Sequence, residues 1–249
     1  MGICAASELF QKTLEEKLAD LDGQFNVSDD LFVHGETYEQ HWERLLKVLK
    51  RLEDSGLTLN EDKCQFCKEE LDFFGFHFSK DGISLAEPKY RALINAETPK
   101  SVGELRSLLG LAQYCEGSTP NLAATINPLR QLTKKKAAWE WTEIHDKALK
   151  DYKESILKSA MAYFNKNWKT QIFVDASQKG LGLVFAQYDP NDPTNRSIVE
   201  FKSRTLTEVE SRYSQVELEA LAVVWACEKL HYYLYNHPFE IVTDNKAIE

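Results

Sequence analysis

The sequence lacks any run of about 18 apolar residues, and no basic segment near its start leads into a long apolar stretch. Neither a membrane-spanning helix nor a secretory leader is expected, and the cytoplasm or nucleus is the expected compartment. Cysteine is scarce and odd in number: Cys4, Cys64, Cys67, Cys115 and Cys227 are scattered along 249 residues. That usage argues for reduced thiols and against a disulfide framework. Cys64 and Cys67 form a lone C-x-x-C with no second Cys or His pair at ordered spacing, so no zinc site is expected there. An excess of positive charge is missing as well. The balance is −9, which is not the bulk footprint of a nucleic-acid binder. Local basic segments do occur, at Lys100 with Arg106 and at Arg130 with Lys134, Lys135 and Lys136, and the ordinary reading of such runs is a solvated face. Internal repeats and low-complexity segments are absent. What is present is apolar content ample for one large domain or about two to three small ones.

Periodicity organises the chain. Leu9, Phe10, Leu14, Leu18 and Leu21 predict an amphipathic helix over 8–21. "QFNVSDDLFVHG" follows, two strand-like runs around Asp29 and Asp30. In "YEQHWERLLKVLKRLEDSG" a stripe of Trp42, Leu45, Leu46, Leu49 and Leu52 predicts a helix closed by Gly56 in a left-handed cap. "LTLNEDKCQF" and "ELDFFGFHFSKDGI" read as short strands with turns, the second ending in a hairpin signal at Asp81-Gly82. Pro88 and Pro99 bracket the entry to a mainly helical section, in which Ser101 and Glu104 predict a capping box. Pro120 and Pro128 interrupt it, and "AAWEWTEIHDKALKDYKESILKSA" resumes the helical period. After "NKNWK" the period becomes two. "TQIFVDAS", "GLGLVFAQYD" and "SIVEFKSRTL" predict antiparallel strands, with "PNDPTN" a loop. A helix over 216–233 then returns the chain to a last strand, "FEIVTDN", expected to pair in parallel.

The carboxylates suggest chemistry. Two adjacent Asp residues suit a hairpin tip, where both are solvated; they equally suit a tight turn that lifts two anions to a sheet edge beside divalent metal ions. In the last segment Asp175 and Asp244 end strands, and one carboxylate of the intervening helix should join them. At about 100° per residue, Leu218, Leu221, Val224 and Trp225 define the packed stripe. Glu217 lies on its margin and is expected to face the sheet, whereas Glu219 is expected at the surface. Asp175, Glu217 and Asp244 at neighbouring strand ends would suit two Mg²⁺ ions, with Mn²⁺ as a substitute, clamping a phosphodiester for hydrolysis. Taken singly, each also reads as a turn former, a helix-start charge or a cap.

In chain order, "MGICAASELFQ", "NVSDDLFVHG", "GLTLNEDKCQF", "FFGFHFSKDGIS", "TPKSVGELRSLLGLAQY", "WEWTE", "VDASQKGLGLVFAQ", "SRTLTEVESRYSQVELEALAVVWACEKLHYYLY" and "IVTDNKAI" resemble the reverse transcriptase and ribonuclease H regions of gypsy-type LTR retrotransposon pol polyproteins. The resemblance covers nearly the whole chain. It implies an α+β fold class: a partial reverse transcriptase palm (residues 1–88), a helical thumb and connection (89–160), and an incomplete ribonuclease H-like mixed α/β domain (161–249). Asp29 and Asp30 match the metal-holding pair of the polymerase palm. Gln11 falls in the segment lining the nascent base pair, Lys63 in the stretch near the incoming triphosphate, and Gly75 in a primer-grip-like turn. Asp175, Glu217 and Asp244 match ribonuclease H carboxylates. Mg²⁺ is the implied cofactor, and an RNA·DNA hybrid or primer–template the implied partner.

Departures from the family pattern accompany the resemblance. The third polymerase aspartate and the nucleotide-gripping fingers would precede residue 1, and the fourth ribonuclease H carboxylate, fifth strand and closing helix would follow residue 249. Val27 stands where an aromatic residue is frequent, and Glu116 where a cation would help to hold phosphate. The expectation is therefore no DNA synthesis by the chain alone and weak or no cleavage of hybrids. Two readings stay open on the sequence: a piece of an RNA-directed DNA polymerase with ribonuclease H activity, or a catalytically inactive retroelement remnant that binds nucleic acid weakly.

Overall fold

The computed structural model describes residues 6–135, 137–156 and 160–245. Cys4 and Lys136 of the sequence analysis lie outside them. The chain divides into two compact units, Met1–Lys68 and Glu69–Glu249. In the first, α1 (Ala6–Leu18) precedes the antiparallel hairpin of β1 (Gln24–Val27) and β2 (Asp30–Val33), and α2 (Tyr38–Asp54) follows. Leu14 and Leu18 of α1 pack with Val48 and Leu52 of α2, closed by Leu31 and Val33 of β2. The first helix stops three residues before the expected Leu21: the Leu18 carbonyl accepts the Leu21 N–H (2.9 Å) and the Gln24 amide (2.9 Å), a turn and local side-chain cap invisible to periodicity. On α2 the packed face is Leu45, Val48 and Leu52, while Trp42 and Leu46 of the expected stripe are exposed. Gly56 adopts the left-handed cap (φ 69°). The strand expected within 57–66 is instead irregular chain with a single 3₁₀ turn, Glu61–Lys63. Its Asn60 side chain accepts the Asp62 N–H (3.1 Å), a local bond that competes with a ladder.

The second unit opens with a three-stranded antiparallel meander of β3 (Leu71–Phe73), β4 (Phe76–Ser79) and β5 (Gly82–Leu85). Helices follow: α3 (Glu87–Ile94), α4 (Val102–Tyr114), α5 (Leu122–Thr125), α6 (Asn127–Gln131) and α7 (Glu143–Ser155). Their inward faces, among them Leu93, Leu105, Leu129 and Tyr152, form one core with Leu85. Ser101 caps α4 by accepting the Glu104 N–H (3.2 Å), but the Glu104 carboxylate returns to the Lys100 N–H (2.8 Å) in place of the cap residue's own.

A second core lies between a sheet and one helix. β6 (Lys169–Ser177), β7 (Gly180–Asp189) and β8 (Asp192–Thr205) are antiparallel, and α8 (Gln215–Lys229) and α9 (His231–Leu234) lead to β9 (Phe239–Val242), parallel to β6. The order is β8-β7-β6-β9, the mixed sheet that period-two patterning and the helical crossover predict. "PNDPTN" is no loop. Asp189 pairs with Asp192, so β8 starts inside it, and the Asp189 carboxylate accepts the Asn191 N–H (2.8 Å) to close a two-residue turn. Ile172, Val174, Leu183 and Phe185 meet Leu218, Ala222, Trp225 and Ala226 across this core.

Backbone and side-chain links tie the meander and the helices of the second unit to the segment leading into this sheet and to its edge. Ile83 and Met161 exchange both backbone hydrogen bonds (2.8 and 2.7 Å) in an isolated bridge. Gly82 makes the approach feasible, because a Cβ there would overlap the Met161 carbonyl oxygen. On the edge strand β8, the Ser203 N–H donates to the Glu116 carboxylate (2.7 Å) and the Ser203 hydroxyl accepts the Ala123 N–H (2.8 Å). A helical segment thus covers an edge that would otherwise present free ladder groups. Glu116 serves this junction, and burial raises its carboxyl pKa against the lowering effect of that bond.

Candidate carboxylate sites

Two acids stand near one end of the four-stranded sheet. The last parallel pair is Phe173 with Val242; Asp175 lies two residues further along β6, and Asp244 two residues past the end of β9. Both lie close enough to Glu219 to act on its carboxyl. Both are exposed. Across the antiparallel ladder Asp175 faces Gly182, so no side chain crowds it from that strand.

The helical acid turned toward the sheet is not the one expected. Glu217 is exposed and completes a capping box: its carboxylate accepts the Ser214 N–H (2.7 Å) and hydroxyl (2.8 Å), which hold its carboxyl below the usual range. Glu219 is 4% exposed. The expected placement of the two is reversed because the packed face of α8 is centred on Ala222, with Leu218, Glu219, Trp225 and Ala226 around it, while Val224 points outward at 55% exposure. Measured from Ala222 at about 100° per residue, Glu219 lies some 60° away and Glu217 some 140° away. The S-x-x-E spacing from Ser214 to Glu217 is itself a capping signature and could have assigned Glu217 to the helix end.

Glu219 carries an unusual electrostatic load. Its Oε1 accepts the Gln215 amide (2.7 Å), and its Oε2 is buried without a hydrogen-bond partner. Burial raises its carboxyl pKa first and the fields of Asp175 and Asp244 raise it further, against the lowering effect of the Gln215 amide and the Ala176 backbone. A buried anion with an unused oxygen, beside two more carboxylates, is the donor chemistry a hard divalent cation takes. The residues fit such an ion. Among the described residues, however, no group of three His, Cys, Asp or Glu is already drawn together tightly enough to hold one.

The first unit holds the other acidic pair. Ser28, with φ 55°, and Asp29 form the two-residue turn, so Asp30 is the first residue of β2 and pairs with Val27. Asp29 and Asp30 are both exposed. Gln11 reaches from α1 to accept the Ser28 N–H (3.0 Å), which fixes the turn from the helix side. Lys63 ends the 3₁₀ turn of this unit and is exposed. In the second unit Phe74 and Gly75, with φ 51° and 79°, make the left-handed two-residue turn between β3 and β4. A Cβ at Gly75 would stand 2.9 Å from the Lys89 side chain. Lys89 Nζ lies 4.9 Å from the Tyr114 ring centroid, and that ring stacks on Phe76 at 5.1 Å. Gln11 is thus brought to the Asp29-Asp30 hairpin, and Asp175, Glu219 and Asp244 share one sheet end. No helix among the described residues is long and apolar enough to cross a membrane.

Residues 1–78 match the family described as reverse transcriptase (RNA-dependent DNA polymerase), and residues 141–241 match the RNase H-like domain found in reverse transcriptase. The Tf2-3 and Tf2-7 transposon polyproteins of Schizosaccharomyces pombe are each 26% identical over 252 aligned residues, covering 99% of this chain and 19% of their own length. The chain therefore spans about a fifth of these relatives. Among solved structures, the foamy viral protease-reverse transcriptase in complex with double-stranded DNA aligns over 99% of this chain and 51% of its own, with 21% identity and a TM-score of 0.81. The same viral protein in complex with an RNA/DNA hybrid aligns over 98% of this chain and 33% of its own, with 22% identity and a TM-score of 0.82.

Proposed function

We propose that Asp175, Glu219 and Asp244 are the carboxylates of a nuclease site for the RNA strand of RNA·DNA hybrids, and that Asp29 and Asp30 are the acidic pair of a polymerase palm, a reading supported by the matches of residues 1–78 and 141–241 to reverse transcriptase and RNase H-like families and by the likeness to retrotransposon polyproteins. In this reading residues 1–88 are palm, 89–160 thumb and connection, and 161–249 the ribonuclease H-like domain. The observation that carries the nuclease assignment is the buried, unpartnered Oε2 of Glu219 in the field of Asp175 and Asp244. Glu217 leaves the set, since its carboxylate is spent on the helix cap.

Asp175, Glu219 and Asp244 would hold Mg²⁺ or Mn²⁺, and Asp29 and Asp30 would do so in the palm. A divalent cation in such a site supplies a more acidic water and offsets charge at a phosphodiester. The protein's part is placement. The parallel pairing of β6 and β9 brings Asp175 and Asp244 to one end of the sheet, the packed face of α8 turns Glu219 inward, and Gln11 holds the turn that presents Asp29 and Asp30. The Gly75 turn with Lys89, steadied on the Tyr114 ring, offers a cation to a nucleic-acid strand.

A labelled RNA·DNA hybrid incubated with the full chain in Mg²⁺ and in Mn²⁺ tests the assignment. Cleavage abolished by Asp175→Asn and Glu219→Gln, and retained by Glu217→Gln, is the expected result. Unchanged cleavage by Glu219→Gln would remove that residue from the site. A second reading, a retroelement remnant that does not cleave, is favoured by the absence of a closed three-ligand cluster among the described residues. No cleavage by demonstrably folded protein would decide for it.

A further inference from the structure

Gln215 is the first residue of α8, and its side-chain amide donates to two acceptors, the Ala176 carbonyl oxygen and Glu219 Oε1, each at 2.7 Å. Ala176 directly follows Asp175 on β6. One NH₂ group therefore ties the strand that carries one proposed ligand to the side chain of another. Both amide protons are used, which fixes the rotation of the Gln215 side chain, and the capping box of Ser214 and Glu217 fixes the backbone it stands on. The bond occupies Oε1 and leaves Oε2 the free oxygen.

We propose that Gln215 is the positioning residue of the nuclease site: it sets the Glu219 carboxylate against the end of β6 so that Oε2 is presented to a divalent cation. The inference rests on the reading of Glu219 given above. Groups that orient a metal ligand through a hydrogen bond govern cation affinity without touching the cation, and their loss typically weakens binding by about tenfold or more. A residue that merely fastened α8 to β6 would lower stability on removal and leave cation affinity alone.

The test is Mn²⁺ binding to the full chain, followed by calorimetric titration and by paramagnetic broadening of assigned backbone amides around Asp175 and Glu219. Gln215→Met keeps length and helix preference but donates nothing. Its expected result is a roughly tenfold loss of Mn²⁺ affinity, with broadening at the Glu219 amide reduced relative to Asp175 and α8 still formed. Gln215→Asn keeps the amide but is a methylene too short to bridge both acceptors, and it should show the same loss if the Met variant does not fold. Glu219→Gln separates the two claims. If it abolishes Mn²⁺ binding while both Gln215 variants bind like the parent, Gln215 has no positioning role and the site stands. If Glu219→Gln itself binds like the parent, the assignment of Glu219 falls, and the role of Gln215 falls with it.

Discussion

Glu219→Gln should make the metal-free protein more stable, against the usual direction of substitution. Glu219 is 4% exposed, one of its oxygens has no partner, and two further carboxylates act on it. An unpaired buried polar group costs about 1–3 kcal/mol, more when charged. Glutamine preserves the shape, keeps an oxygen to accept the Gln215 amide, and turns an NH₂ in place of an anion toward Asp175 and Asp244. A gain of about 1–2 kcal/mol follows, or a rise in Tm of roughly 2–8 °C for a domain of this size. Differential scanning calorimetry and hydrogen exchange of the β6 and α8 amides measure it. The pH dependence has a definite sign. The Glu219 carboxyl is raised from its ordinary 4.5 in the folded state, so its favourable contribution is complete below 4.5 and is lost as pH rises through the folded value. The advantage of the variant is therefore largest at neutral pH and closes on acidification. Added Mg²⁺ should stabilise the parent more than the variant. A variant less stable than the parent at neutral pH, or an advantage that grows as pH falls, would refute the reasoning.

Glu116→Ala should lower stability by about 1–3 kcal/mol, because it strands the Ser203 N–H on the covered edge of β8; Glu116→Gln should restore most of this, with Ser203 amide exchange as the monitor. Glu210→Gln should cost about 1 kcal/mol at pH 7 by breaking the two-point bond to Arg204 (2.7 and 2.9 Å). That bond holds the Glu210 carboxyl down at about 2 from 4.5. Its contribution is present above 4.5 and is lost as pH falls toward 2, so urea titrations should show the parent and variant converging over that interval. Gln11→Ala removes the acceptor of the Ser28 N–H; the Ser28 amide should exchange faster and the first unit should lose about 1 kcal/mol, with exchange in β6 and β7 unchanged.

The sheet of the second unit was legible because apolar alternation in β6 and β7 states a half-buried strand directly, and a helical crossover before β9 dictates parallel pairing. Asp175 and Asp244 followed from that topology. The helical carboxylate did not, for a reason written in α8: its buried face is carried by the small Ala222 and Ala226, while the larger Val224 lies outside. Side-chain size was a poor guide to direction there. Local polar bonds caused the other differences. Asn60 satisfies backbone in place of a strand, Asp189 shortens a loop into a turn, and Gln24 ends α1 early. Glu116 stands out in sequence as an anion where a cation would serve nucleic acid; only its partner on β8 explains it.

The bridge between Ile83 and Met161 bears on how the second unit could be divided and recombined. A recombination joint at 160/161 leaves residue 161 pairing with a strand encoded about 80 codons upstream, and Tyr163 still bonds the Ser79 carbonyl (3.0 Å). A chimera therefore has to inherit a glycine at position 82 and an acceptor at position 116 from its other parent. Swapping the chain at this joint is constrained by a few contacts far away in sequence, so the exchangeable module is larger than the four-stranded sheet.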